Sequence, residues 1–241
     1  MRKYAVEFIG TFFLVLTITC TVLGGAALAP VAIGAVLAAM IFAGGHISGA
    51  HFNPAVTTAV WVRGKIETRD VAPYMLAQVA GAALAAAAGR VIVDAEPAKA
   101  LSLSGGRLGA AFLAELLVTF ALCYVVLNVA TSSAHAGNSF YGLAIGLTVM
   151  AGAVAVGGVS GGAFNPAVAV GVSIAGLVSW SMIWLYLVAC LLGGALAGVV
   201  FRLLNPHEWA EEQEAAPVPQ QRVPDKTGQS PADEERTAYT T

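Results

Sequence analysis

The sequence is organised as long apolar stretches separated by short polar ones. The stretches are rich in Ala, Gly and Leu and run at approximately 4–24, 26–45, 71–92, 108–130, 140–157 and 179–201. A helix of about 20 apolar residues crosses the hydrocarbon core of a bilayer. The pattern therefore predicts an all-α membrane protein with six transmembrane helices.

Two short segments interrupt this pattern with the same polar signature. The pentapeptide Phe-Asn-Pro-Ala-Val occurs at 52–56 and again at 164–168, and Ser-Gly precedes each copy at the same offset. Asn before Pro is typical of a helix start, with Asn as the N-cap and Pro in the first turn. A helix that begins with a polar cap inside a membrane must line a cavity or be buried in protein. Neither segment is long enough to cross alone, so each predicts a re-entrant half-helix.

The chain contains an internal repeat. Glu7 matches Glu115 at an offset of 108 residues, and the two Asn-Pro-Ala copies match at an offset of 112. Each repeat, about 4–92 and 108–203, holds three long stretches and one half-helix. Because three is an odd number, the second repeat is inverted in the membrane. The half-helices then enter from opposite faces and meet near the middle.

Composition agrees with a membrane protein and excludes several functional classes. The chain is 58% hydrophobic and 11% charged, with a mean hydropathy of +0.77, whereas soluble domains carry about 25% charged residues. A net charge of −2 gives no indication of nucleic-acid binding. The cysteines lie in apolar stretches, without metal-ligand spacing or a disulfide framework, at Cys20, Cys123 and Cys190. We therefore expect no metal and no cofactor and, since no catalytic constellation occurs, no enzyme.

Further motifs around the duplicated boxes carry a family resemblance. The chain resembles the aquaporin, or major intrinsic protein, family in its paired Asn-Pro-Ala boxes, the His-Ile-Ser-Gly-Ala-His lead-in at 46–51, Ala77-Gln78 with Gly81-Ala82, and Gly193-Gly194-Ala195. The resemblance covers about residues 4–203. It implies six helices and two half-helices around a pore in each subunit. It also implies a homotetramer in a lipid bilayer, through which small neutral solutes and water pass.

The two boxes are the predicted centre of the pore. A helix N-terminus carries about +0.5 of an elementary charge, so two facing N-termini repel cations. The side-chain amides of Asn53 and Asn165 can donate hydrogen bonds to a solute oxygen at the same point. The alternative is that these residues only cap the half-helices, although both roles can hold together. The predicted pore motifs are Asn53, Pro54, Ala55, Asn165, Pro166 and Ala167.

Glu7 and Glu115 are acidic residues inside apolar stretches. Intramembrane acids mark proton relays in pumps and transporters, which is one interpretation. The other, which the family resemblance implies, is that each carboxylate accepts backbone N–H bonds and supports a re-entrant loop. His51 is expected to pack the first loop and to narrow the cytoplasmic mouth of the pore.

One position departs from the family. The resemblance implies an Arg directly after the second Asn-Pro-Ala box, where it would narrow the outer constriction, but this sequence has Val168. By the family's spacings, the other constriction positions fall on Ile33, Ala153 and Gly162. The predicted selectivity filter is therefore wide, apolar and uncharged. Arg90 or Arg107 reaching into the outer mouth is an alternative source of the missing charge.

Basic residues predict the orientation of the chain in the membrane. Lys and Arg are more numerous on the side that holds both termini and the 61–70 loop, which places that side in the cytoplasm. Residues 1–204 form the predicted channel domain. Residues 205–241 are rich in Pro, Glu, Gln and Ser, and we expect a disordered, acidic cytoplasmic tail there. The expected location is the plasma membrane, namely the inner membrane of a bacterial cell.

The leading functional hypothesis is a passive transmembrane channel for small uncharged solutes. A wide apolar filter suits glycerol, urea, metalloid hydroxides such as arsenite, and water. The alternative from another class is an ion-coupled secondary transporter that uses Glu7 or Glu115 as its coupling site. The repeat-related positions of the two acids favour the channel, because structural supports are expected in both halves.

Overall fold

The computed structural model describes residues 1–94 and 99–208. In these ranges the chain forms helices joined by loops. Over these ranges the helices are α1 Arg2–Leu23, α2 Ala29–Ser48, α3 Pro54–Arg63, α4 Thr68–Val93, α5 Gly106–Thr131, α6 Tyr141–Ser160, α7 Pro166–Ile174 and α8 Ile183–Leu204. Short 3₁₀ turns lie in the connections at Ser133–His135 and Trp180–Met182. The described residues contain no β-strand.

Six of the described helices are long and apolar enough to cross a membrane, namely α1, α2, α4, α5, α6 and α8. By contrast, α3 has 10 residues and α7 has 9. At about 1.5 Å per residue, each reaches through about half of a bilayer core. The predicted fold of six transmembrane helices and two re-entrant half-helices in an inverted repeat is therefore confirmed.

The helices pack as two equivalent sets that meet at a close crossing of α2 and α6 and where each half-helix packs on the other set, α3 on α8 and α7 on α4. α1 packs on α4, α5 packs on α8, and α2 crosses α6 between them. At this crossing Gly34 meets Gly146, its counterpart at the offset of 112. A Cβ at Gly34 would lie 2.7 Å from the carbonyl oxygen of Gly146, and one at Gly146 would lie closer still to that of Gly34. The two glycines therefore let the backbones touch, as small residues do at membrane helix interfaces.

We call the face on which α1 begins and α8 ends the terminal face. Lys3 at the start of α1 pairs with Asp70 at the start of α4 on this face. Arg63, the last residue of α3, pairs with Glu208, which follows α8. The C-terminal end of the first half-helix, α3, therefore lies at the same face as the start of α1 and the end of α8.

Glu208 anchors the segment that follows α8. Its Oε2 atom accepts from Arg63 Nη2 at 2.7 Å, and the two side chains are 4% and 1% exposed. Its Oε1 atom accepts from the Ser132 hydroxyl and, at 2.8 Å, from the backbone N–H of Ser133. Burial favours the neutral carboxyl, but these hydrogen bonds and the guanidinium outweigh it and hold the pKa of Glu208 below its ordinary value.

The segment predicted as a tail from residue 205 thus begins with residues that pack on the channel. Residues 205–208 are placed against α3 and the α5–α6 connection through Glu208. The rest of that prediction, at 209–241, lies outside the described residues.

We predict that Glu208→Gln lowers the thermal unfolding temperature of the purified protein in detergent. A net hydrogen bond to a charged group contributes about 1.5–3 kcal/mol, and the amide loses the charge that Arg63 compensates. The matched control is Glu67→Gln, because Glu67 pairs with Arg69 at 2.6 Å but is 64% exposed. An exposed pair contributes about 1 kcal/mol or less, so the control should unfold close to wild type.

The stabilisation by Glu208 should also depend on pH. Because folding lowers the pKa of Glu208, its contribution is complete above the pKa of an unfolded glutamate. It is then lost as the pH falls through the lowered pKa. Unfolding temperatures of wild type and Glu208→Gln should therefore converge on acidification. Equal losses in the two Gln variants at neutral pH would contradict the anchoring role.

Candidate functional site

Each Asn-Pro-Ala box builds the start of a half-helix. Asn53 and Asn165 are N-caps with extended backbones, at φ −158° and −159°. The Oδ1 atom of Asn53 accepts from the backbone N–H of Ala55 at 2.8 Å, and that of Asn165 accepts from Ala167 at 2.9 Å. The proline of each box opens the helix, where its missing N–H would have no helical partner. The boxes therefore form caps as the sequence predicts.

The two half-helices meet through these caps. Asn53 Nδ2 donates to the carbonyl of Phe164 at 3.0 Å, and Asn165 Nδ2 donates to the carbonyl of Phe52 at 2.9 Å. The N-termini of α3 and α7 therefore face each other, and each asparagine reaches across to the opposite loop. These bonds use one of the two Nδ2 hydrogens of each amide. The second Nδ2 hydrogen of each amide has no hydrogen-bond partner among the described residues, and both side chains line the same cavity.

A buried carboxylate holds the loop that precedes α3. Glu7 accepts the backbone N–H groups of His51 and Phe52 at 2.9 and 2.7 Å. It also accepts from the hydroxyl of Ser48 at 2.7 Å and from Nε2 of Gln78 at 2.8 Å. The side chain is 0% exposed, and four donors compensate the burial of its charge.

The second repeat makes the same arrangement before α7. Glu115 accepts the backbone N–H groups of Ala163 and Phe164 at 3.0 and 2.7 Å, and the hydroxyl of Ser160 at 2.7 Å. Cys190 stands at the offset of 112 from Gln78, and its Sγ atom lies 3.7 Å from the carboxylate. Neither acid is among the described residues that line the central cavity.

Two tyrosines bind the backbone at the start of these loops. The sequence alone did not predict this role. The Tyr74 hydroxyl donates to the carbonyl of Ser48 at 2.8 Å, and the Tyr186 hydroxyl donates to the carbonyl of Ser160. The tyrosines are themselves 112 residues apart. A residue-by-residue comparison of the two repeats is therefore the signal that finds them.

His51 is held in one orientation on the cavity wall. Its Nδ1 atom lies 3.1 Å from Thr57 Oγ1. That hydroxyl donates to the carbonyl of Asn53 at 3.1 Å and accepts from Gln78 Nε2 at 3.0 Å. The Thr57 hydroxyl, itself held by Asn53 and Gln78, therefore fixes the position of the imidazole through its contact with Nδ1.

A cavity of about 300 Å³ lies at the meeting point of the caps. The structure brings the four predicted filter residues together on its wall, namely Ile33, Ala153, Gly162 and Val168. The polar side chains on the wall are those of His51, Asn53, Asn165 and Tyr186. Among the described residues that line it, none is Asp, Glu, Lys or Arg.

The two basic residues considered as substitutes for the filter arginine lie elsewhere. Arg90 Nη1 donates to the carbonyl of Ala175 at 2.8 Å, at the C-terminal end of α7. A cation there complements the negative end of the helix dipole. Neither Arg90 nor Arg107 is among the described residues that line the cavity.

Comparison with known proteins agrees with this geometry. The sequence model of the family described as Major intrinsic protein matches residues 1–201. The chain belongs to the major intrinsic protein family. It is similar to glycerol uptake facilitator protein-like 6 of Lactiplantibacillus plantarum, 38% identical over 222 residues that cover 86% of this chain and 100% of the relative.

Other relatives are named aquaporins. Aquaporin NIP1-4 of Oryza sativa subsp. japonica is 35% identical, over 85% of this chain and 77% of the relative. Aquaporin Z of Bradyrhizobium diazoefficiens is 35% identical, over 85% of this chain and 94% of the relative. Among solved structures, the aquaglyceroporin from Plasmodium falciparum matches with a TM-score of 0.73 at 22% identity, over 86% of this chain and 97% of that one. This major intrinsic protein is thus a multi-pass membrane channel for small solutes, from a family of channels rather than enzymes.

We predict that Glu115→Gln lowers thermal stability and yield more than it changes solute preference. The amide keeps the size of the side chain but replaces one accepting oxygen with an NH2 group that faces a loop donor, and each buried donor left unsatisfied costs about 1–3 kcal/mol. Unfolding in detergent and the yield of folded protein measure the effect.

The matched control is Cys190→Ala, because Cys190 touches the same carboxylate without donating a strong hydrogen bond. It should unfold near wild type. A Glu115→Gln protein of normal stability whose flux acquires a new pH or ion dependence would contradict a supporting role for Glu115.

Proposed function

We propose that this chain is a passive channel for small uncharged solutes, namely glycerol, urea, metalloid hydroxides such as arsenite, and water. The observation that carries the proposal is the cavity at the two opposed caps, whose described wall is apolar apart from a few fixed polar groups. Such a wall suits small neutral molecules. An ion would enter it at a large cost in lost hydration.

The two caps serve in this proposal as the binding point at mid-membrane. A solute oxygen accepts the free Nδ2 hydrogens of Asn53 and Asn165, which are left over from the bonds between the loops. The positive ends of α3 and α7 oppose cations at the same point. A water molecule that accepts from both amides is turned so that it does not relay protons.

We name Ile33, Ala153, Gly162 and Val168 the filter ring and propose it as a permissive constriction. Val168 replaces a long cationic side chain that the family resemblance implies at this position, and Ala153 and Gly162 leave room beside it. A ring of this kind admits neutral solutes wider than water. Similarity to a relative named as a glycerol uptake facilitator supports this part of the proposal.

Glu7 and Glu115 act in the proposal as loop supports. Each carboxylate is buried and engaged by two loop N–H groups and a serine hydroxyl. Protonation would remove acceptors from those donors, so a transport cycle that titrates them would loosen the loops in every turnover. This consideration favours passive conduction over ion-coupled transport.

We further propose a homotetramer in the inner membrane of a bacterial cell, with both termini in the cytoplasm. The orientation is supported by the basic residues on the terminal face, among them Arg2, Lys3, Arg63 and Lys65. Large apolar side chains such as Leu76, Leu84 and Val91 are exposed on α4 and are available to lipid or to neighbouring subunits.

We predict that solute flux through the reconstituted protein follows the concentration gradient alone. Stopped-flow light scattering on proteoliposomes should show uptake of water and glycerol above empty liposomes, at rates unchanged when an ionophore collapses a proton gradient. The reason is that the described cavity wall carries no acidic group to couple to protons. Accumulation of glycerol against its gradient, driven by protons or sodium, would rule the channel out.

We predict that Val168→Arg cuts permeation of glycerol and arsenite more than permeation of water. The long guanidinium would enter the filter ring opposite Ala153 and Gly162 and reduce its opening. Fluxes of both solutes and of water are compared with wild type at equal reconstitution density.

The control is Val168→Leu, which adds bulk at the same position without charge or donors. It should lower the flux of the larger solutes less than Val168→Arg does. If Val168→Arg passes glycerol as fast as wild type, Val168 does not lie at a constriction.

A further inference from the structure

The inverted repeat gives the cavity a second ring that corresponds to the filter ring. At the offset of 112, Ile33 corresponds to Ile145, and Val168 corresponds to Val56. By the same offset Ala153 corresponds to Ile41 and Gly162 corresponds to Ala50. We call Ile145, Ile41, Ala50 and Val56 the mirror ring, and all four line the same cavity.

The mirror ring lies in the half of the cavity nearer the terminal face. Ile41 is near the C-terminal end of α2 and Ile145 is near the N-terminal end of α6, and both ends lie toward the terminal face. Ala50 belongs to the loop that precedes α3. The helix α3 itself runs from its cap, Asn53, to the terminal face. A permeating molecule must therefore pass both rings in series.

Where the two rings differ, the side chain in the mirror ring is the larger one. Two of the four positions are identical, since each ring has one isoleucine and one valine from the equivalent sites. The other two are larger in the mirror ring, where Ile41 replaces Ala153 and Ala50 replaces Gly162. The two isoleucines of the mirror ring, Ile41 and Ile145, are at most 5% exposed. Because β-branched side chains in helices are stiff at χ1, these two side chains cannot easily turn aside.

A fixed imidazole adds to the difference. His51 lines the cavity next to Ala50, whereas its counterpart at the offset of 112 is Ala163. The Thr57 hydroxyl that holds the ring has Ala169 as its counterpart, and Gln78, which holds Thr57, has Cys190. The anchored imidazole of His51 therefore adds bulk to the wall of the mirror half at a position where the filter half has alanine, although Tyr186 lines the cavity on the side of the loop that precedes α7.

We propose that the mirror ring, together with His51, sets the upper size limit of solutes for this channel. The proposal rests on the proposed function, because it concerns the same pore. When two constrictions stand in series, the narrower one controls the flux of a solute near the limiting size. Val168 stands where the family resemblance implies a long arginine, so in this proposal the larger side chains of the mirror ring make it the narrower of the two.

The test uses a pair of variants that remove the same atoms from the two rings. Ile145→Ala trims the mirror ring and Ile33→Ala trims the filter ring at the equivalent position. Stopped-flow measurements on proteoliposomes give the ratio of glycerol to water permeability for each variant and for wild type. Ile145→Ala should raise this ratio several-fold, and this rise should exceed any rise that Ile33→Ala produces by trimming the filter ring.

The outcomes separate this proposal from the function on which it rests. If wild type passes neither glycerol nor water above empty liposomes, the proposed channel function fails. If wild type conducts, an equal or larger rise in Ile33→Ala, or no change in either variant, overturns the mirror ring alone. Ile145→Val and Ile33→Val repeat the comparison with a smaller truncation where an alanine variant fails to assemble, and they should rank in the same order.

Discussion

The channel depends on satisfying two short stretches of non-helical backbone at membrane depth. Hydrocarbon offers no hydrogen-bond partners, and a buried unsatisfied N–H costs about 1–3 kcal/mol. Glu7 and Glu115 each accept two such N–H groups from the loops that precede α3 and α7. With these N–H groups turned to the carboxylates, the carbonyls of Phe52 and Phe164 accept the asparagine amides across the centre. The same two acids thereby hold the half-helices end to end.

This arrangement separates support from conduction. The charged groups that build the loops are buried behind them, and the described cavity wall presents amides, an imidazole and apolar side chains. The positive potential of the opposed helix ends is therefore not cancelled by an acidic side chain in the cavity. A pore that needs strong charges for its structure can in this way keep an electrically neutral wall.

Much of the candidate site could be predicted from the sequence because an internal repeat contains its motifs twice. The caps and the inverted arrangement follow from matches at offsets of 108 and 112, whereas the supporting role of Glu7 and Glu115 is what the family resemblance implies. The Arg63–Glu208 pair could not be predicted, since it joins residues 145 apart and the residue equivalent to Arg63 at the offset of 112 is Ala175. The fixed position of His51 could not be predicted either, because it depends on contacts among His51, Thr57 and Gln78 that form only in three dimensions.

Because the chain contains an internal repeat, the residues that select solutes can be sought by comparing equivalent positions in the two halves of the pore. Where one box is followed by a cationic side chain, that residue makes the two halves unequal by itself. Here both boxes are followed by valine, so the remaining differences between the halves decide which is narrower. Those differences, at Ile41, Ala50 and His51, belong to the half in which Glu7 also binds Gln78. The half with the larger side chains at these positions is thus also the one in which Thr57 and Gln78 hold His51 in place beside the pore.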